Sequence, residues 1–278
     1  ANYNTAIGYE ALGDIQAGSG ANIAVGYYAM RNVDEGTGDG DADYNIAIGY
    51  DALKGGDFGS GNDGKDLQYN IAIGFQALDA TAANSQTGTI AIGKDALGAL
   101  TSGADCVAIG YHSMRQHTTG RSNTAIGSGT MGASGNDVTA QDNVFLGSYA
   151  GGGTWAGAGI DANIGIGYTA LYGPMNGANN NIAIGYESGH DVVGGDANVM
   201  VGNHTGEKLT SASGSAFFGK NAGGALTTGN HNIAMGYYAM GSGTTTGDNN
   251  IAIGVTAGDA LTSGKNNILL GKDAGGAM

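Results

Sequence analysis

The chain has 278 residues, of which 56 are glycine, one is proline and one is cysteine, and it carries a formal net charge of -14. Glycine at that share without a three-residue period or abundant proline excludes collagen. A charged fraction of 12% excludes a solvated polyelectrolyte tail, and the acidic balance argues against nucleic acid and anionic membranes, which both need clustered lysine and arginine.

Read from the N-terminus, one phrase returns fifteen times: NTAIG (4–8), NIAVG (22–26), NIAIG (45–49), NIAIG (70–74), TIAIG (89–93), CVAIG (106–110), NTAIG (123–127), NVFLG (143–147), NIGIG (163–167), NIAIG (181–185), NVMVG (198–202), SAFFG (215–219), NIAMG (232–236), NIAIG (250–254) and NILLG (267–271). The closing glycines are 17 to 25 residues apart. A period of this kind over the whole length predicts one continuous solenoid domain, 1–278, built from about fifteen coils. Both ends lie within the repeat, so we expect a mature product or a piece of a longer protein. No run of 18 apolar residues offers a membrane span.

The closing glycine of each phrase is position 0. Position -4 is asparagine in twelve copies: Asn4, Asn22, Asn45, Asn70, Asn123, Asn143, Asn163, Asn181, Asn198, Asn232, Asn250 and Asn267. Asparagine tolerates turn geometry and bonds nearby backbone, so this column reads as a ladder of side-chain amides. Cys106 takes the same place in its copy and reads as part of that ladder, not as a nucleophile. Positions -3 and -1 are apolar in all copies but for Thr5 and Thr124 at -3, and mostly β-branched, as strands prefer, and they share one strand face. Position -2, on the other face, is alanine in ten copies. A strand apolar on both faces is buried on both. The expectation is that the larger residues pack inside the coil and that the alanine face meets another chain in a homo-oligomer. After the glycine, a short second strand and a polar turn complete each coil. The predicted class is all-β, a parallel β-solenoid or β-roll.

The phrases NTAIGYEAL (4–12), NIAIGYDAL (45–53) and NIAIGFQAL (70–78) resemble the YadA-like head repeats of trimeric autotransporter adhesins and related repeats of bacteriophage tail fibres. The resemblance covers all fifteen copies. It implies a left-handed roll assembled as a trimeric rod, on a virion tail fibre or a bacterial cell surface, holding a cell-surface glycan or protein receptor. The period here is longer and less regular than in the adhesins, which favours the tail fibre.

Catalytic patterns are thin. His112, His117, His190, His204 and His231 have no metal-protease spacing and read as surface residues on different coils. A polysaccharide-degrading solenoid would need acidic pairs recurring on one face. An ice-binding solenoid would need threonine at regular positions; here threonine clusters fall in turns. Two acidic stretches in the longest units, GDGDADYN (38–45) and GGDFGSGNDGKD (55–66), place Asp39, Asp41, Asp43, Asp57, Asp63 and Asp66 at spacings suited to a hard cation, so calcium is the one cofactor considered. The aromatic that follows the glycine in eight copies reads as a stiffening ladder, or as a platform for sugar rings. Trp155, in the glycine-rich stretch 151–159, and Tyr172 are the candidate receptor contacts.

Overall fold

A computed structural model describes residues 3–13, 20–33, 42–55, 66–81, 85–132, 140–155 and 159–276. Its described residues form strands, bridges and turns, with no helix among them. The chain forms two compact units, Ala1–Asp142 and Asn143–Met278, a division that the period does not mark.

In the first unit, β1 (Thr5–Ile7), β2 (Ile23–Val25), β4 (Ile46–Ile48), β6 (Ile71–Ile73), β8 (Ile90–Ile92), β9 (Val107–Ile109) and β10 (Thr124–Ile126) stack in parallel. A second, three-stranded sheet joins β3 (Ala42–Asp43), β5 (Leu67–Gln68) and β7 (Gln86–Thr87). In the second unit, the parallel stack runs through β11 (Val144–Leu146), β12 (Ile164–Ile166), β13 (Ile182–Ile184), β14 (Val199–Val201), β15 (Ala216–Phe218), β16 (Ile233–Met235), β17 (Ile251–Ile253) and β18 (Ile268–Leu270). The architecture is a parallel β-solenoid.

The turn count differs from the coil count. Fifteen strands carry the phrase. Six pairings link them within the first unit and seven within the second, so the two units hold about thirteen turns. A turn needs a strand and its return onto the next, whereas counting glycines counts strands.

The glycine column follows from stacking. A Cβ on Gly49 would lie 2.3 Å from the carbonyl oxygen of Gly74, and one on Gly185 would lie 2.2 Å from that of Gly202. Both glycines also have φ near +140°, at +138° and +140°, where side chains are strained. Backbone therefore presses on backbone at this corner of every turn.

The asparagine column closes the opposite corner. Asn22, Asn45 and Asn70 are fully buried. The Asn45 backbone N–H and side-chain Nδ2 both donate to Asn22 Oδ1, at 2.9 and 3.1 Å, and Asn45 Nδ2 also donates to the Leu67 carbonyl at 2.6 Å. The second unit repeats this: Asn198 donates twice to Asn181 Oδ1, both at 3.0 Å, and once to the Ala212 carbonyl at 2.8 Å. Each amide thus satisfies the coil that follows it and is satisfied by it, which removes the cost of burying a polar group. Ser215 substitutes in kind, its hydroxyl accepting the Asn232 N–H at 3.1 Å. Cys106 is buried in the same column, with its sulfur 3.5 Å from the Gly120 carbonyl, and burial raises its thiol pKa.

Two expectations about the coil are corrected. The small-residue face points inward: Ala24, Ala47, Ala72, Ala91, Ala108 and Ala125 are all at 0% exposure, while their flanking apolar residues are partly exposed. The reason is volume. The segment returning under the strand brings its own alanine and a leucine or methionine, such as Ala52 and Leu53, into the same space. An isoleucine pair from the strand would not fit there as well.

The second correction concerns the segment after the glycine. It is a run of turns, not a strand, with left-handed residues at positions +2 and +4, as in Asp51 (φ 53°) and Leu53 (φ 48°). Left-handed backbone costs about 1–2 kcal/mol for such a residue. Complete burial of a leucine side chain contributes about 1.5–3 kcal/mol and offsets it. The small strands β3, β5 and β7 lie before the asparagine corner instead.

Candidate interaction face and side-chain columns

Because alanine turns inward, the strand presents isoleucine and valine to solvent, and the residue after the glycine joins them. Ile48 is 39% exposed, Tyr50 44% and Phe75 44% in the first unit; Ile184 is 37% and Tyr186 45% in the second. Within each unit this makes an apolar stripe that runs from coil to coil.

The aromatic rings of the stripe stack. Tyr9 and Tyr27 lie 5.2 Å apart between centroids, Tyr27 and Tyr50 5.1 Å, Tyr50 and Phe75 5.2 Å, and Tyr168 and Tyr186 5.4 Å. These spacings follow the strand separation and suit offset stacking. Lys94 takes the column where an aromatic is missing. Its ammonium lies 5.7 Å from the Phe75 centroid and 5.6 Å from that of Tyr111, so it bridges the gap by cation–π contact. Hydroxyl bonding to Tyr28 is the first cause that pushes the Tyr27 pKa up to about 12.

Trp155 does not stand in solvent. It is 2% exposed and packs with its ring centroid 6.4 Å from that of Phe145. Its bulk fills the space beneath a coil whose return segment is glycine-rich, so a direct receptor contact by this side chain is overturned. Tyr172 is half-buried and stacks on His190 at 5.3 Å.

Of the acidic set, Asp39, Asp41, Asp57 and Asp63 lie outside the described residues. Asp43 accepts the Gly20 N–H across coils, and the Asp66 N–H donates to Ser85 Oγ at 3.1 Å. His117 is also unlike its expectation: it is completely buried, in the column that holds Leu100 one coil earlier. Burial lowers its pKa to about 4.

Charged side chains gather in two columns that pattern reading missed, positions +2 and +5. In the first unit, His112 Nε2 lies 3.0 Å from Asp95 Oδ2, with Lys94 and Arg115 nearby. Burial lowers the His112 pKa. A polar cleft beside them is lined by Gln76, Asp79, Asp95, Gly98, Ala99, Arg115 and Gln116. Burial raises the Asp79 carboxyl to about 6, with the charges of Asp51 and Asp95 acting in the same direction. In the second unit, Glu187 and His204 occupy the +2 column one coil apart and Glu207 the +5 column. The signal in the sequence was the 17-residue separation of Glu187 and His204, which equals the period.

No family model, curated protein or solved structure matches the chain.

Proposed function

We propose that the chain is a non-enzymatic structural segment of an extracellular attachment fibre, of the bacteriophage tail-fibre type, that works as a homotrimer. The supporting observation is the outward stripe of isoleucine, tyrosine and phenylalanine on successive coils. A contiguous exposed apolar surface of this kind marks an association site. A second copy is the occupant we assign to it, because the stripe repeats with the coil and only an equally periodic surface matches it at every level. Cyclic assembly closes such a contact. Each coil completes its backbone ladder and its alanine–leucine interior only against its neighbours, which ties the stack together. A cell-surface glycan or protein is the proposed receptor, contacted by residues that depart from the repeat, Tyr172 among them.

A bacterial trimeric adhesin head is the second reading, supported by the NIAIGYDAL and NIAIGFQAL phrases. It shares the assembly and differs in whether the fibre stands on a virion or on a cell.

Sedimentation equilibrium tests the assembly. The expected species has three times the 27.4 kDa chain mass, and Ile48→Glu with Ile73→Glu is expected to release folded monomer. A parent protein that is itself a folded, soluble monomer rejects the proposal.

A further inference from the structure

We infer that Glu187, His204 and Glu207 form a binding site for a first-row divalent metal ion, of the zinc class, that ties two adjacent coils of the second unit together. Glu187 comes from the coil closed by Gly185, and His204 and Glu207 from the coil closed by Gly202. His204 Nδ1 lies 3.1 Å from Glu187 Oε2 and 3.0 Å from Glu207 Oε2. All three ligand atoms fall within 4.8 Å of one another. Metal–nitrogen and metal–oxygen bonds of about 2.1 Å at right angles put neighbouring ligand atoms about 3.0 Å apart. The two measured separations therefore match two adjacent-ligand edges of a six-coordinate site, with water free to complete it.

The electrostatics point the same way. Two carboxylates converge here, and among the described residues no lysine or arginine forms an ion pair with either. A divalent cation relieves that repulsion. One imidazole nitrogen with two carboxylate oxygens suits zinc, nickel or cobalt better than calcium or magnesium, which favour all-oxygen shells.

The ligands are also held in place. The Tyr186 ring belongs to the residue just before Glu187. The same ring meets the His204 ring edge-on at 5.3 Å. The His204 backbone N–H donates to the Tyr186 carbonyl at 2.8 Å, fixing the two coils in register. Outer contacts of this kind orient metal ligands. The inference stands apart from the fibre assignment, since it uses neither the apolar stripe nor the oligomeric state.

Calorimetric titration of the full chain with zinc chloride tests it. The expected result is one saturable site per chain with a dissociation constant in the micromolar range. Glu187→Gln and His204→Asn are each expected to weaken it by about ten-fold or more. Both variants suit the left-handed backbone: Gln76 holds the same column at φ 51° and Asn221 at φ 56°. Amide exchange across residues 187–209 should slow on zinc addition in the parent and not in the variants. Titration curves that are the same for parent and both variants, or no saturable site in the parent up to about 1 mM zinc, overturn the site.

Discussion

In the first unit the strand gives the interior alanine at six successive coils, Ala24 to Ala125, and the return segment answers with buried Met30, Leu53, Leu78, Leu97, Met114 and Met131. In the second unit three of the strands instead give Phe145, Met200 and Phe217, and their return segments answer with Gly151, Gly206 and Gly223. The exchange is steric. A Cβ on Gly151 would lie 2.8 Å from the Phe145 ring, one on Gly206 2.6 Å from the Met200 sulfur, and one on Gly223 2.8 Å from the Phe217 ring. Met200 also reaches the coil before it, where Gly189 leaves room for its methyl group. The corner glycines and asparagines are common to both units. The comparison separates what a coil must keep, its corners, from what it can trade, the division of one small volume between strand and return.

The largest effect should come from breaking a corner. Gly49→Ala in the first unit and Gly185→Ala in the second force a Cβ onto a carbonyl oxygen of the next coil, with left-handed strain added. Each should cost about 4 kcal/mol or more and reduce soluble yield. Denaturant unfolding that shows either variant within about 1 kcal/mol of the parent would remove the corner from the shared frame.

Exchanging the fillings sharpens the comparison. Phe217→Ala should cost about 3–5 kcal/mol by leaving a cavity. Gly223→Leu alone should overpack the coil by about 1–3 kcal/mol. Together they recreate the first unit's arrangement, in which leucine accepts the left-handed position at Leu53. The double variant should therefore be more stable than Phe217→Ala. Strictly additive losses in a double-mutant cycle would show that the two positions do not share one volume.

A smaller and pH-dependent difference should separate the units. The buried His117 has its pKa lowered to about 4 from an ordinary 6.5. Between those values the unfolded chain binds the proton and the folded chain does not. Stability of the first unit should thus be complete above pH 6.5 and fall by up to about 3 kcal/mol toward pH 4. Asp79 acts in the opposite sense, because its pKa is raised to about 6 and its protonation favours the folded state. The His117→Leu variant isolates the histidine. In the second unit the same column holds buried Val192, Leu209 and Leu226, so amide exchange there should lack this dependence. If parent and variant lose protection equally on acidification, His117 is not the cause.

By itself the sequence determined the period, the three-residue strand, and the columns of glycine and asparagine. Each of those needs one residue type at one place, so chemistry alone exposes it. The direction of the strand was decided by the tertiary structure. Alternation in NIAIG distinguishes two faces and does not say which is inside; the small volume enclosed by a 17-residue coil admits alanine and turns isoleucine outward. The same holds for single residues. Trp155 and His117 carry no local mark of burial, and only the coils stacked over them take them out of water. Glu187 and His204 meet for a related reason: residues distant in sequence become neighbours when their separation matches the length of the coil between them, and the fold sets which pairs of columns then face each other.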